Sequence, residues 1–470
     1  MKEININGAV MKCYPLCAAQ KIHHYTIRYS PTQVLCIGTG LYVQQDVDFE
    51  LLKKSIYQAY EMFETMRLRF VLDEDEEENV YQYIVPSEER DIPLVDFSDW
   101  NEEKAHNEMR KWTSTPFERY NSPMNQVVMI KLPNGFNGIY LKVDHMTMDS
   151  SSIIGFNRAV LEIYCSKRYG TDMPKEMKSY IAQLEKDLAY EADSPARKRD
   201  EEFWMKEIAS SEPLYTDFSG QGRLLTQRRE NNNPEQRWAR VVTKSPEAAI
   251  SVYSLEEDAS LRLMKFCELY HVPMASLLMM GLRTVLSKFN NDEKDISIKT
   301  CIARRGTLSE KFSGGTRVHF FPLRTIIEPD MTFLDGIHMI QTEQNKVFRH
   351  ANFDPIEYTR KRAEYWKTQL GSSYESMSLT YQPLTSKQAA NNMPDIPYKS
   401  YWYSNGVAGQ PLYLTVMHRP EDNGLNFNFE YRKDAVTEYE MQYFYYYLCR
   451  VLFRGIEDEN RTIKDILKMI

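Results

Sequence analysis

Several features that often assign a function directly are missing from this chain of 470 residues. There is no run of about 18 apolar residues, so no helix is predicted to cross a membrane. The opening stretch, MKEININGAV, also lacks the apolar segment of a secretory signal. The seven cysteines are scattered and form no CxxC pair, which argues against a zinc site and favours reduced thiols in a cytoplasm. With a net charge of −8 and no dense Lys/Arg stripe, nucleic acid is not an expected partner.

Glycine-rich phosphate loops are missing as well. Gly38-Thr39-Gly40 and Gly220-Gln221-Gly222 each lack the third glycine of a dinucleotide-binding loop. Gly314-Gly315 is not followed by the Gly-Lys pair of a P-loop. The sequence therefore predicts neither a bound nucleotide cofactor nor a bound metal.

Apolar residues are present in the proportion of an ordinary folded protein, 42% of the chain, which is long enough for two or three core-forming units. Alternating patterns predict strands at residues 34–43 and 138–143, and helical periodicity predicts an amphipathic helix over 48–64. A long charged helix is expected over 175–192, and a polar crossing loop over 210–235. The two halves have similar content of helix and strand, which predicts an α/β (α+β) fold of two lobes.

Between two further predicted strands lies an acidic run, residues 73–78. Six consecutive like charges are most simply a solvated turn. The strands on either side, residues 68–72 and 79–84, would then form a hairpin.

The chemistry-bearing feature is a polar break that follows the strand over residues 138–143. His145 stands at the end of this strand, Asp149 lies four positions later, and a helical stretch begins at Ile153. A strand end holds an imidazole rigidly, and the next loop can supply a group that orients it. Such a histidine can take a proton from an attacking amine or hydroxyl, which is what an acyltransferase needs. The pattern alone is also compatible with a buried structural histidine.

Several segments, in order along the chain, resemble the condensation domains of nonribosomal peptide synthetases, in the chloramphenicol acetyltransferase-like superfamily of CoA-dependent acyltransferases. They are YPLCAAQ at residues 14–20, FETMRLRF at 63–70, DHMTMDS at 144–150, the pairs Ser179-Tyr180 and Phe203-Trp204, and GTRVHFFPLR at 315–324. They resemble the family's PLSPAQ, HEALRTRF, HHxxxDG, Y..Y..YW and GPFVNTLPLR motifs. The resemblance covers nearly the whole chain and leaves no visible adenylation or carrier segment, so a free-standing condensation enzyme is expected.

This resemblance implies two chloramphenicol acetyltransferase-like lobes that form a V-shaped pseudo-dimer around a central tunnel. We expect residues 1–178 to form the N-terminal lobe and residues 179–470 the C-terminal lobe with its crossover loops. The implied donor is an acyl or aminoacyl thioester, carried by the phosphopantetheine arm of an acyl or peptidyl carrier protein or by coenzyme A. The implied acceptor is a small amine or alcohol, and no tightly bound cofactor is expected.

Residue by residue, the resemblance implies that His145 is the catalytic histidine. Asp149 matches the aspartate with a structural role, and Arg67 matches the arginine expected to pair with it. Asp144 precedes His145 in the strand and should point to the opposite face, so we interpret it as structural and paired with a cation. The adjacent histidines His23 and His24 are interpreted as a solvated surface pair, with the donor channel as the alternative.

The chain departs from the family pattern at three positions. Asp144 replaces the first histidine, Ser150 replaces the glycine, and His319 replaces the asparagine of the later motif. Ser150, His319 and Ser152 are candidate tunnel-lining residues, although Ser152 could equally cap the following helix and His319 could simply pack.

These departures leave two alternatives to plain condensation. Asp144-x-x-x-x-Asp149-x-x-Ser152 matches the DxxxxDxxS form of heterocyclization domains, which points to a cyclodehydrating variant. The altered motif is also compatible with a non-catalytic module that keeps the fold and recruits carrier proteins.

Overall fold

The computed structural model describes residues 1–73, 79–86, 90–241, 243–369, 371–383, 397–419 and 422–470. The predicted acidic turn lies outside the described residues except for Asp73. The strands predicted on either side of it are present and pair antiparallel, Leu68 opposite Ile84.

Strands and helices alternate without a repeating order. The strands are β1 (Lys2–Ile6), β2 (Ala9–Pro15), β3 (Cys36–Gln44), β4 (Leu68–Leu72), β5 (Val80–Ile84), β6 (Leu94–Asp96), β7 (Asn125–Lys131), β8 (Phe136–Asp144), β9 (Ala239–Arg240), β10 (Ala248–Ser254), β11 (Asp295–Ile302), β12 (His319–Ile326), β13 (Ser372–Ser373), β14 (Met377–Gln382), β15 (Tyr398–Tyr403), β16 (Leu412–His418) and β17 (Leu425–Arg432). The helices are α1 (Ala18–Thr26), α2 (Phe49–Met62), α3 (Glu102–Ser114), α4 (Ser150–Tyr169), α5 (Tyr180–Glu191), α6 (Pro195–Ser210), α7 (Gly222–Glu230), α8 (Glu257–Leu269), α9 (Met274–Phe289), α10 (Leu308–Phe312), α11 (Phe333–Arg349), α12 (Pro355–Trp366), α13 (Glu438–Glu457) and α14 (Ile463–Met469). This confirms the predicted mixed α+β class.

The chain divides into two compact units. The first consists of Met1–Ser194, Ala303–Val318 and Ser386–Val407, and the second of Pro195–Ile302, His319–Thr385 and Ala408–Ile470. The predicted boundary at 178/179 differs from this division, because α5 packs with the first unit and two later segments return to it. Tyr180 and Leu184 of α5 belong to the same apolar cluster as Tyr14 and Leu16, which explains the placement.

In the first unit, a five-stranded sheet of order β15-β3-β8-β7-β6 positions the polar break. Central β8 alternates as predicted: Ile139, Leu141 and Val143 pack against α2 and α4, whereas Tyr140 faces the α3 side. The amphipathic helix predicted over 48–64 is α2, and Asp48 caps it by accepting a hydrogen bond from Leu51 N. A second sheet of this unit has the order β1-β2-β5-β4.

Two of the sequence-based element predictions differ from the structure. The charged helix expected from residue 175 begins only at Tyr180, because Ser179 is its N-cap and accepts from Ala182 N. The crossing loop expected over 210–235 contains α7, whose Leu224 is buried in a small apolar cluster.

The second unit is built on a six-stranded sheet of order β10-β17-β16-β14-β11-β12. Helix α9 is buried over nearly its whole length in the core of this unit, because apolar and small residues occupy most of its positions. Among the described residues no single helix is long and apolar enough to span a membrane; α8 and α9 meet that test only together, and a 111° bend separates them.

A buried ion pair in the second unit should make this protein acid-sensitive. Both Glu375 and Arg362 are buried, and Arg362 Nη1 lies 2.7 Å from Glu375 Oε1. Burial alone would raise the pKa of Glu375, but Arg362, with help from Lys299 and Ser297, holds it at about 2. The ionised Glu375 carboxylate therefore contributes its full stabilisation above the unfolded-state pKa of about 4.3. This stabilisation is lost as the pH falls from there towards 2.

We therefore expect the free energy of unfolding to fall by about 3 kcal/mol between pH 5 and pH 2 from this group alone. Urea unfolding across this pH range measures it. The paired replacement Arg362→Met with Glu375→Gln should flatten that part of the profile. An unchanged acid slope in the double variant would contradict the assignment.

Candidate active site

The turn that carries His145 is fixed at both ends by secondary structure. Strand β8 ends at Asp144 and helix α4 begins at Ser150. His145 N donates to Leu35 O at 2.7 Å, and Met146 N donates to Asp144 Oδ1 at 2.9 Å. The backbone of His145 is therefore held at the end of β8 and against the residue that precedes β3, and the strand-end position is the one that the sequence pattern predicts.

The imidazole of His145 is half-buried, with Nδ1 fully enclosed and without a hydrogen-bond partner on another described residue. Burial lowers its pKa below the ordinary value of 6.5, although an interaction with its own backbone and the charges of Asp149 and Asp144 act in the opposite direction. The ring is accordingly neutral at pH 7. Since Nδ1 is enclosed beside its own backbone, Nε2 is the nitrogen left to accept a proton from a substrate.

Asp144 forms a buried ion pair with Arg119 on the far side of the turn. Arg119 Nη1 lies 2.6 Å from Asp144 Oδ2, and their side chains are 12% and 1% exposed. This contact agrees with the structural, cation-paired role that the sequence predicts for Asp144.

Asp149 is surrounded by donors from two segments of the first unit. It caps α4 by accepting from Ser152 N, and both of its oxygens accept from Arg305 Nη2, at 2.8 and 2.9 Å. Arg317 N donates to Oδ2 at 3.0 Å. With its side chain only 1% exposed and both oxygens engaged, Asp149 holds the turn rather than moving protons.

The predicted pairing of Asp149 with Arg67 is wrong. Arg67 ends the 3-10 turn Glu64–Arg67, and its guanidinium donates to Val85 O at 3.2 Å and Glu61 O at 3.4 Å, which are both local carbonyls. Arg305, 156 residues beyond Asp149, takes the expected position. The adjacent arginines 304 and 305, shortly before Gly314-Gly315, are the one sequence signal that points to it.

The sequence model of the condensation domain family matches residues 10–469 of this chain. The chain belongs to the condensation domain family. Condensation domains are acyltransferases that form amide bonds in nonribosomal peptide biosynthesis, and this classification confirms the predicted enzyme class.

Relatives of this condensation domain are parts of much longer synthetases. It is 22% identical over 459 residues to a plipastatin synthase of Bacillus subtilis (strain 168), covering 96% of the chain and 17% of that protein. It is 23% identical over 464 residues to a surfactin synthase of the same organism, covering 96% of the chain and 12% of that protein. The chain thus spans less than a fifth of the length of these two relatives.

Solved structures of the family show the same fold. The first condensation domain of the calcium-dependent antibiotic synthetase, in complex with a substrate analogue, superposes with a TM-score of 0.78 at 17% identity, covering 97% of this chain and 98% of that one. A mutant starter condensation domain of rhizomide synthetase, in complex with C8-CoA, superposes with a TM-score of 0.78 at 18% identity. The superposition covers 96% of this chain and 97% of that one. The predicted chloramphenicol acetyltransferase-like fold is confirmed.

Ser152 and Ser150, two of the candidate tunnel-lining residues, both belong to the start of α4. Ser152 is buried and donates through Oγ to Gly315 O at 2.6 Å, and Asp149, not Ser152, is the helix cap. Ser150 is the first residue of α4 and is half-buried.

Gly315 must be glycine, since its φ is +80° and a Cβ would lie 2.5 Å from the Tyr180 ring.

His319, the third candidate, lies in the second unit and is fully buried. Its Nδ1 is 2.8 Å from Ala351 O, and its ring contacts Phe321 edge-on. The absence of accessible surface favours the packing interpretation of His319 over a channel-lining role.

The solvated-surface interpretation of His23 is wrong. This side chain is only 8% exposed, and its ring lies against that of His145. The available sequence signal is its spacing of three from Gln20, a buried polar residue on the same face of α1.

Proposed function

We propose that this condensation domain transfers an acyl group from a thioester to an amine, with His145 as the general base. The observation that carries the proposal is the half-buried imidazole at a strand end, whose Nδ1 is enclosed and whose pKa is lowered by burial. A protonated histidine could not accept a substrate proton, whereas burial keeps this one in its basic form at pH 7.

In the proposed reaction the acceptor nitrogen attacks the thioester carbonyl while His145 Nε2 takes one of its protons. The carbon–sulfur bond then breaks and the proton passes to the leaving thiolate, which regenerates neutral His145. The products are an amide and a free thiol, so atoms and charges balance and no acyl-enzyme is formed. Positioning supplies much of the rate with a reactive amine, and general-base assistance matters more with a hydroxyl acceptor.

The donor is proposed to arrive on the phosphopantetheine arm of an acyl or peptidyl carrier protein, or on coenzyme A. Two observations support this donor: the chain belongs to the condensation domain family, and a fold neighbour has been solved in complex with C8-CoA. No disulfide joins the described cysteines, which supports the proposed cytoplasmic location.

Intact-mass spectrometry tests the function. Carrier proteins loaded with octanoyl or aminoacyl phosphopantetheine are incubated with the enzyme and with pooled amines and alcohols. We expect the carrier to lose the acyl mass and an amide of matching mass to appear, and neither change without enzyme. If loaded carrier binds and stays loaded with every acceptor, the recruitment alternative replaces this proposal. A product one water lighter than the amide would indicate cyclodehydration instead.

A further inference from the structure

The rings of His23 and His145 form a stacked pair inside the first unit. Their centroids are 3.9 Å apart and their planes differ by 24°, which is close face-to-face contact. His23 belongs to α1, whereas His145 follows β8, so the contact joins two elements that are far apart in sequence. Neither ring is at an exposed surface, and the stack excludes water from the shared face.

Helix α1 is anchored to the same turn through Gln20, one helical turn before His23. Gln20 is fully buried, and its Nε2 lies 3.1 Å from Met146 O, directly after His145. The same amide group is within hydrogen-bond distance of Gln82 and Tyr180. The position of His23 is therefore set relative to the backbone of His145 by a buried polar network.

Neither carboxylate beside His145 is available to orient its ring. Asp144 is bound to Arg119 and Asp149 to Arg305. His145 Nδ1 and His23 Nε2 are both buried without a hydrogen-bond partner on another described residue. A general base normally has a third group that fixes its orientation, and here the group in that position is a flat ring rather than a hydrogen-bond acceptor.

We propose that His23 is a positioning residue that fixes the ring plane of His145 by stacking, so that Nε2 stays available to the acceptor nucleophile. This role rests on the proposed function of His145. The stack requires that the two rings are not charged at the same time, because two imidazolium ions at this separation would repel each other.

The surrounding charges are consistent with a neutral stack. Burial lowers the pKa of His23 well below 6.5, and His145 and Arg119 lower it further. For His145, burial outweighs the opposing effects of its own backbone, Asp149 and Asp144. Burial thus favours the neutral form of both rings.

Two substitutions separate stacking from other roles of His23. His23→Phe keeps a flat ring and should leave kcat within about twofold. His23→Ala removes the ring and should lower kcat by about 10- to 100-fold with KM nearly unchanged, the size expected for a misplaced catalytic group. The exposed His338→Ala on α11 is the control and should behave like the wild type.

NMR of protein labelled at histidine Cε1 supplies a readout that does not depend on transfer activity. The pKa of His145 should rise towards about 6.5 in His23→Ala, because water enters the vacated space, and stay low in His23→Phe. An unchanged His145 pKa and kcat in His23→Ala would overturn the proposal, as would equal damage from both substitutions. If transfer is never observed but the pKa shifts as expected, the stack is confirmed and only the proposed reaction fails.

Discussion

The variant His145→Ala is expected to lower kcat for acyl transfer by about 10²–10⁴-fold, the usual contribution of a general base. The loss should be larger with hydroxyl than with amine acceptors, because an amine needs less help to attack a thioester. KM for the loaded carrier should change little, since the imidazole is proposed to act on the acceptor proton. Single-turnover unloading of carrier protein, followed by intact mass, measures the effect.

A matched control separates this effect from general damage. His338 lies exposed on α11 of the second unit, so His338→Ala removes an imidazole without touching the site. Full turnover by His145→Ala with an amine and a hydroxyl acceptor would contradict the assignment of His145 as base.

The pH dependence of acyl transfer adds a second check. As the pH is lowered, activity should be lost only below the ordinary histidine pKa of about 6.5, because burial lowers the pKa of His145.

The local part of this site could be predicted from sequence. The alternation that defines β8 and the polar break after it depend on neighbouring residues, so strand, turn and helix follow from periodicity. The family motifs then place His145 at the turn. Asp149 as the cap of α4 is equally local, although Ser152 is the residue that the sequence pattern suggests for that place.

The sequence-based predictions about this site that failed all depend on contacts between distant segments. Arg305 reaches Asp149 because Ala303–Val318 returns to the first unit, and no periodicity in the sequence encodes that return. The orientation of His23 depends in the same way on how α1 packs. His319 carries a polar side chain in a strand whose inward positions are buried, so composition alone could not separate channel from core.

The Asp149–Arg305 pair leads to the prediction with the largest expected effect on stability. Both side chains are nearly inaccessible, 1% and 9% exposed, and Arg305 also donates to Gly315 O at 2.8 Å. Arg305→Ala would leave the carboxylate of Asp149 buried without its counter-charge. We expect the free energy of unfolding to fall by about 3–5 kcal/mol, measured by urea denaturation at pH 7.

Arg67→Ala is the matched comparison, because the sequence motif and the structure disagree about these two arginines. The hydrogen bonds of Arg67 to described residues end on main-chain carbonyls, so its loss should cost about 1 kcal/mol. The double variant Arg305→Met with Asp149→Asn should recover part of the loss, since no unpaired charge remains. Equal costs for Arg67→Ala and Arg305→Ala would contradict the pairing. The ordering expected here follows from one physical difference: Arg305 neutralises a buried charge, and Arg67 does not.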